Sequence, residues 1–223
     1  MTMKEQVIAV DGPSASGKST VARRVAAALQ WVYVDSGSLY RGVTWHALRQ
    51  GVDVRQPEAL VRMLAAMEIT LRLEHGAVRF AVDGDDPGEA LRGRDVTDAV
   101  SPVSTVPEIR ARIVDLLRGM TRFGSLVVEG RDIGSVVFPD TPHKFYLDAS
   151  PEERARRRHR EVAGAAAGVG DVAQSLQRRD QLDSSRAAAP LRIAPGAVVI
   201  DSTAVGIDQV VAFILERVRL SAS

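Results

Sequence analysis

A nine-residue segment near the start of the chain constrains the possible folds more than any other feature of the sequence. Residues 12–20 read Gly-Pro-Ser-Ala-Ser-Gly-Lys-Ser-Thr, which fits the pattern G-x-x-x-x-G-K-[ST]. A strand-like apolar run at residues 7–10 precedes the segment, and a helical run at residues 21–29 follows it. In this context the glycines let backbone N–H groups point into a concavity at a helix N-terminus, where phosphate oxygens bind.

The loop therefore predicts the binding of a nucleoside triphosphate together with Mg²⁺. We expect Lys18 to reach the β and γ phosphates and to act in catalysis, and the Ser19 hydroxyl to coordinate Mg²⁺ between them. Every residue of the loop is a candidate for contact with the triphosphate: Gly12, Pro13, Ser14, Ala15, Ser16, Gly17, Lys18, Ser19 and Thr20.

Apolar runs typical of β-strands alternate with helical patterns along the chain. The runs lie at residues 7–10, 31–34, 126–129, 144–147 and 197–201. This alternation predicts an α/β fold of the P-loop NTPase type, with a five-stranded parallel sheet and helices on both faces. Residues 68–84 break the rhythm with two short alternating runs around His75-Gly76, which predicts a small antiparallel β insertion.

We expect the 223 residues to form one domain with three parts. These are the phosphate-binding core, an acceptor-binding part at about residues 36–98 that includes the hairpin, and a helical lid at about residues 151–170. Residues 163–170 are all alanine, glycine or valine and lack helical periodicity, so this stretch of the lid is predicted to be mobile.

Composition excludes several classes of function. A formal net charge of +1 provides no field to hold long nucleic acid, and without cysteine there is no thiolate zinc site or disulfide framework. The histidines show no ligand spacing. The chain has no apolar stretch long enough to span a membrane, and its first strand comes too early for a cleavable signal. We therefore expect a cytoplasmic protein that binds no membrane. We also expect it to act as a monomer. Lysine occurs only three times, and either codon bias or phosphate binding explains the excess of arginine.

Two strand ends carry side chains suited to a second substrate, because ligands gather at the carboxyl ends of parallel strands. The run at residues 126–129 ends in one acid, Glu129, and continues Gly130-Arg131-Asp132. A motor ATPase usually has paired acids at the end of such a strand. An acid, an arginine and a second acid together instead suit direct contacts to a second substrate. The chain contains no asparagine, so it cannot have the N-K-x-D segment with which GTPases of the usual type read guanine.

The second strand is followed by Asp35-Ser36-Gly37-Ser38-Leu39-Tyr40-Arg41, which opens a helix. Ser36 offers an anion a hydroxyl at the helix start, and Tyr40 and Arg41 follow one turn later. The alternative is that Asp35 or Ser36 only caps the helix.

Five segments together resemble the bacterial cytidylate kinase family: GPSASGKST, DSGSLYRG, EGRDIGSVVFPD, FYLDASPEERARRR and RRDQLDSSRAAAPL. They occur in the family's order between residues 8 and about 202. The resemblance implies transfer of the γ-phosphoryl group of ATP to CMP or dCMP, giving ADP and CDP or dCDP. The chain departs from some relatives in having Glu129 where they have aspartate, so its reach to the metal would be through water.

The resemblance also implies roles for residues outside the loop. It places the acceptor phosphate near Arg41, Arg131 and Arg186, with Ser36 and Tyr40 in the same pocket. It assigns the cytosine ring to Ser101, Arg110 and Asp132, and the ribose and phosphate end of the acceptor to Arg179 and Asp183. It assigns Arg154, Arg157 and Arg158 to the lid, and Arg131, Arg157 and Arg158 join Lys18 as catalytic candidates.

Cytosine recognition is chemically reasonable for these residues. The N4 amine of cytosine donates while O2 and N3 accept, so a pocket needs both an acid and a donor, and Asp132 and Arg110 supply them. Uracil would leave a buried carboxylate unpaired, so UMP is expected to be the poorer acceptor. The alternative for Asp132 is a salt bridge with its neighbour Arg131.

The arginine-rich segment at residues 151–160 also allows two interpretations. Its acid–arginine spacing is that of a solvated surface helix, but three of its arginines also share one face beside the glycine- and alanine-rich stretch. A lid of this kind would neutralise charge on the transferring group. No general base is expected, because the acceptor phosphate is already anionic. A kinase for another small acceptor, such as UMP, AMP or shikimate, and a nucleotide sensor without turnover are the remaining alternatives.

Overall fold

The computed structural model describes residues 6–161, 168–186 and 190–220 of the chain. These residues form seven strands. In chain order they are β1 (Val7–Asp11), β2 (Val32–Asp35), β3 (Ile69–Glu74), β4 (Ala77–Val82), β5 (Leu126–Gly130), β6 (His143–Asp148) and β7 (Val198–Asp201).

All seven strands belong to one sheet, in the order β3-β4-β2-β5-β1-β6-β7. The five strands from β2 to β7 in this order are parallel to their neighbours, as the apolar runs predict. The predicted count of five is wrong for the sheet as a whole, because the hairpin β3–β4 continues it. The hairpin joins at a single pair, Tyr33 with Ala77, supported by a hydrogen bond of 2.9 Å from the Tyr33 N–H to the Gly76 carbonyl.

The hairpin itself forms where its pattern predicts. Six residue pairs join β3 and β4, and the turn between them places His75 and Gly76 at positive φ, 49° and 73°. Two consecutive residues at positive φ make the tight turn that matches the twist of the flanking strands. At the far end of β4, Phe80 and Val82 are buried in the core, which anchors the hairpin to the domain.

Helices connect the parallel strands and cover both faces of the sheet. They are α1 (Lys18–Leu29), α2 (Ser36–Arg49), α3 (Pro57–Ala66), α4 (Arg94–Val103), α5 (Pro107–Gly119), α6 (Pro151–Glu161), α7 (Val169–Ser185) and α8 (Ile207–Leu220). Alternate residues of β1 face opposite sides. Ile8 and Val10 pack in a cluster with residues of α1 and α8, whereas Val7 and Ala9 pack with residues of α2 and α5. The predicted two-sided covering of the sheet is confirmed.

The predicted lid region contains two helices in the described residues. Ala155 of α6 packs with Val172 and Leu176 of α7, and Ala15 of the loop lies against this small cluster. The predicted mobile stretch is residues 163–170, and its residues 163–167 lie outside the described residues. From Val169 onward the stretch belongs to α7. In the part of the chain that the structure describes, no helix is both long and apolar enough to cross a membrane.

Candidate active site

The carboxyl ends of the parallel strands border one cleft of about 1640 Å³. A typical site for one small ligand encloses roughly 300–1,000 Å³, so the cleft has room for more than one. It brings together most of the residues predicted from the sequence. Those that line it are Ser14, Ala15, Gly17, Lys18, Ser19, Thr20, Ser36, Tyr40, Arg41, Ser101, Arg110, Glu129, Arg131, Asp132, Arg158, Arg179, Asp183 and Arg186.

The loop between β1 and α1 takes a path that only glycine permits at its first position. Gly12 has a φ of 152°, and a Cβ placed there would lie 2.1 Å from the carbonyl oxygen of Leu147 in β6. The close approach lets the loop fold over the ends of β1 and β6. The loop therefore opens toward the cleft at the N-terminus of α1, which begins at Lys18.

Lys18 is buried, and its Nζ donates to the carbonyl oxygen of Pro13 across the loop, at 2.9 Å. Burial and then the positive charge of Arg131 lower the pKa of Lys18 to about 7, against the opposing effect of nearby carboxylates. An ammonium group in such a position gains from any phosphate placed beside it. The effect of Arg131 on Lys18 also indicates that the loop and the end of β5 face the same space.

Glu129, at the end of β5, is buried and held by three hydroxyl groups. Ser19 Oγ donates to Oε2 at 2.8 Å, Tyr33 OH donates to Oε1 at 2.7 Å, and Ser36 Oγ donates to the backbone carbonyl at 2.7 Å. Next to it, burial and then the charge of Glu129 raise the pKa of Asp35 to about 6. Two neighbouring carboxylates beside a serine hydroxyl form an oxygen donor set of the kind that Mg²⁺ prefers.

The hydrogen bonds at the start of α2 show which of its first residues caps the helix and which lies in the cleft. Asp35 is the cap, since its Oδ1 accepts from the N–H of Ser38 at 3.1 Å. Ser36 instead bonds to Glu129 and lines the cleft. Arg41, one turn further, donates to Thr97 Oγ1 at 3.1 Å and also lines the cleft.

Four arginines and one acid lie together in the cleft: Arg41, Arg131, Arg179, Arg186 and Asp183. Arg131 Nε lies 2.9 Å from Asp183 Oδ2, and Arg186 Nη2 lies 3.5 Å from Asp183 Oδ1. Burial alone would raise the pKa of Asp183, but the two arginines outweigh it and lower that pKa. One carboxylate thus balances only part of the positive charge.

Arg179 is the least compensated member of this cluster. Its Nε is buried and has no hydrogen-bond partner among the described residues. Burial, followed by the positive charges of Arg131 and Arg41, lowers the pKa of Arg179 to about 10. Guanidinium groups that repel one another in a buried site favour the binding of an anion between them.

Asp132 forms a buried ion pair with Arg110 of α5. Arg110 Nη1 also donates to the Ser104 carbonyl at 3.1 Å, and its guanidinium lies 5.4 Å from the centre of the Tyr40 ring. Burial raises the pKa of Asp132 in spite of the neighbouring arginines. The alternative pairing of Asp132 with Arg131 is wrong, because Asp132 pairs with Arg110 and Arg131 pairs with Asp183. An acid and a donor thus lie side by side in the cleft.

The structure separates the three arginines of α6. Arg158 lines the cleft and pairs with Glu161 at 3.1 Å. Arg157 donates to the Ser16 carbonyl at 3.2 Å and to the Ser202 carbonyl at 2.6 Å. Arg154 pairs with Asp180 of α7 and donates to the Ala149 carbonyl at 3.2 Å. Arg154 and Arg157 thus brace the loop and its surroundings instead of lining the cleft.

Two residues that the sequence analysis did not single out contribute to the site. Tyr33 lines the cleft and bonds to Glu129. Asp11, at the end of β1, is buried and accepts from the N–H groups of Ile133 and Gly134 at 2.9 and 2.8 Å, directly after Arg131 and Asp132. Its place between strand and loop could have marked Asp11 as a candidate, whereas Tyr33 carries no such signal.

A glycine loop with a buried lysine, facing an arginine cluster across one cleft, defines a phosphotransferase that brings two phosphate-bearing ligands together. The chain belongs to the cytidylate kinase family, whose model matches residues 8–220. It is 44% identical over 221 residues to the cytidylate kinase of Geobacillus kaustophilus strain HTA426, covering 97% of this chain and 98% of the relative. It is also 44% identical over 220 residues to the cytidylate kinase of Rhodococcus jostii strain RHA1, covering 96% and 95%.

Similarity to solved structures extends to more distant proteins. The structure of an uncharacterized protein from Eubacterium ventriosum ATCC 27560 matches with a TM-score of 0.53 and 12% identity, covering 97% of this chain and 99% of that one. At this identity the likeness concerns the fold alone.

Proposed function

We propose that this chain, as a member of the cytidylate kinase family, transfers the γ-phosphoryl group of ATP to CMP or dCMP, giving ADP and CDP or dCDP. The observation that carries the proposal is the single cleft in which Lys18 faces the arginine cluster of Arg41, Arg131, Arg179 and Arg186. Two phosphate sites that share one cleft suit direct transfer between two nucleotides.

On the donor side, the loop at residues 12–20 would hold the β and γ phosphates of ATP. Backbone N–H groups at the start of α1 point toward the ligand, and Lys18 supplies a full positive charge. Arg157 supports this site through the Ser16 carbonyl, so its proposed catalytic role is exerted on the shape of the loop.

On the acceptor side, the arginine cluster would bind the phosphate of CMP or dCMP. Asp183 holds Arg131 and Arg186 in place, and Arg179 has an unsatisfied N–H to offer. Ser36 and Tyr40, which line the same cleft, would border the acceptor. Binding of a phosphate relieves the repulsion between these guanidinium groups, which makes the site selective for an anion.

The base would be read by the pair of Asp132 and Arg110, together with Ser101 of α4. Asp132 can accept from the N4 amine of cytosine, while Arg110 can donate to an acceptor atom of the ring. Their side chains are only 7% and 5% exposed, so an unpaired group here would carry a large penalty.

The proposed Mg²⁺ site consists of Ser19 together with Glu129, which would act through water, and with Asp35 nearby. The chemistry of these donors fits a hard divalent cation, and a cation would offset the repulsion that raises the pKa of Asp35. When bound, Mg²⁺ would offset the negative charge of the β and γ phosphates.

The transfer itself needs few groups. An oxygen of the acceptor phosphate attacks the γ-phosphorus while the bond to the β–γ bridging oxygen breaks, and ADP leaves. Lys18, Arg131 and Arg158 line the cleft, and we propose that they neutralise charge on the equatorial oxygens and the leaving group. The attacking oxygen is already anionic at neutral pH, so no general base is required.

The three-part organisation, with an acceptor-binding part at about residues 36–98 and a lid at about 151–170, belongs to the same proposal. We propose that the protein acts as a monomer. We also propose that the protein works in the cytoplasm, where ATP and CMP are available.

A coupled assay of ADP release tests the proposed reaction. The acceptors to compare are CMP, dCMP, UMP, AMP, GMP and shikimate, each with ATP and Mg²⁺. Rapid turnover with CMP or dCMP and slow turnover with the others is the expected result. Failure with both cytidine nucleotides would refute the choice of acceptor, and tight binding of both nucleotides without product CDP would indicate a sensor instead of an enzyme.

A further inference from the structure

Tyr33 makes a contact that the phosphoryl transfer described above does not use. Its hydroxyl donates to Glu129 Oε1 at 2.7 Å, while Oε2 of the same carboxylate accepts from Ser19 at 2.8 Å. The carboxylate is therefore held from both sides, by the loop and by β2. Glu129 has more than one rotatable bond between its backbone and its carboxylate, so without the second contact the carboxylate could turn away from Ser19.

The position of the Tyr33 ring is itself well determined. The guanidinium of Arg23 lies 5.1 Å from the ring centre, and the backbone of Tyr33 anchors the hairpin through Gly76.

We propose that Tyr33 is a positioning residue that keeps the Glu129 carboxylate turned toward Ser19 and thereby sets how tightly the divalent cation of the donor nucleotide is held. This inference rests on the proposed function, because it assumes that Ser19 and Glu129 face the metal. Groups that orient a metal-facing carboxylate typically change metal affinity by about 10- to 100-fold when removed. Because Glu129 would act through water, we expect an effect of about 10-fold.

The test measures how much Mg²⁺ strengthens the binding of ADP. Calorimetry gives the ADP affinity with Mg²⁺ and with EDTA, and the ratio of the two affinities is the metal-dependent gain. In Tyr33→Phe, which removes only the hydroxyl, the gain should fall about 10-fold while the affinity in EDTA stays unchanged. Tyr146→Phe is the matched control, since it removes the same group from β6, outside the residues that line the cleft, and it should leave both affinities unchanged.

A second variant shows whether Tyr33 acts through Glu129. In Glu129→Asp the shorter side chain withdraws from the phenol, so adding Tyr33→Phe should change the metal-dependent gain no further. An unchanged gain in Tyr33→Phe would overturn the inference, as would equal losses with Mg²⁺ and EDTA or full additivity in the double variant. Because these measurements use ADP alone, they are independent of the acceptor. A chain that fails to phosphorylate CMP would refute the proposed function and leave the result for Tyr33 standing.

Discussion

Replacing Asp132 with asparagine tests the proposed reading of the base most directly. The side chain keeps its shape and one acceptor oxygen, so Arg110 retains a partner beside its bond to the Ser104 carbonyl. What is lost is the negative charge in a site that is nearly closed to solvent. An alanine at this position would instead leave a buried guanidinium unpaired, at a cost of about 3–5 kcal/mol to folding, and would confuse recognition with damage.

The expected change in selectivity follows from the hydrogen bonds. A charge-assisted bond from the cytosine amine contributes about 1.5–3 kcal/mol and a neutral one about 0.5–1.5, so CMP loses about 1 kcal/mol in Asp132→Asn. UMP gains about 1–3 kcal/mol, because the amide NH₂ can turn to its O4 where the carboxylate left O4 unpaired. The ratio of kcat/KM for CMP to that for UMP should therefore fall by about 2–4 kcal/mol, or about 30- to 1,000-fold.

Steady-state rates of ADP release with CMP, dCMP and UMP measure this ratio. Asp180→Asn is a matched control, because Asp180 pairs with Arg154 beside the loop and its loss should affect all acceptors alike. If Asp132→Asn reduces kcat/KM by the same factor for CMP and UMP, the pair of Asp132 and Arg110 does not read the base.

Three further predictions concern the donor loop. Lys18→Ala should lower turnover by about three powers of ten or more while the circular dichroism spectrum stays unchanged, and near-normal ADP release would exclude the role of Lys18 in transfer. With a pKa of about 7 in the free protein, Lys18 is mostly neutral at pH 8, and bound phosphates raise that pKa again. Calorimetry with a non-hydrolysable ATP analogue in buffers of different ionisation enthalpy measures the protons taken up on binding. We expect close to one proton at pH 8, fewer at pH 6, and none in Lys18→Met. The same uptake in Lys18→Met would assign the proton to another group. Gly12→Ala should destabilise the fold by at least about 2 kcal/mol in urea unfolding, because its Cβ would meet the Leu147 carbonyl at 2.1 Å; unchanged stability would mean that the loop can shift freely.

The residues that could be predicted from the sequence are those whose chemistry is local. The loop at residues 12–20 needs glycine for its backbone path and a lysine at the helix start, so the motif alone indicates its function. The parallel strands were predicted within one or two residues, because each is an apolar run bounded by polar or small residues. Likewise the positive φ of His75 and Gly76 corresponds to a turn that the alternating runs on either side already indicate.

The partners of charged side chains could not be predicted in this way. Asp132 and Arg131 are neighbours in sequence, yet Asp132 pairs with Arg110 of α5 and Arg131 with Asp183 of α7. The chain bends at both residues directly after β5 ends, so their side chains need not share a partner. On α6, the spacing placed three arginines on one face, but only Arg158 lines the cleft, because the packing of the helix against the loop directs Arg154 and Arg157 to backbone carbonyls.

By itself the sequence determined the α/β scaffold and the glycine loop for which we propose triphosphate binding, and its motifs led to the family. Such features depend on short segments whose backbone geometry and residue types are linked directly. Only the tertiary structure decided that the hairpin extends the sheet through Tyr33, that Tyr33 and Ser19 share Glu129, and that one acid, Asp183, pairs with two arginines. Those arrangements join residues far apart in the chain, and their energies arise from burial and charge that exist only once the strands and helices have packed together.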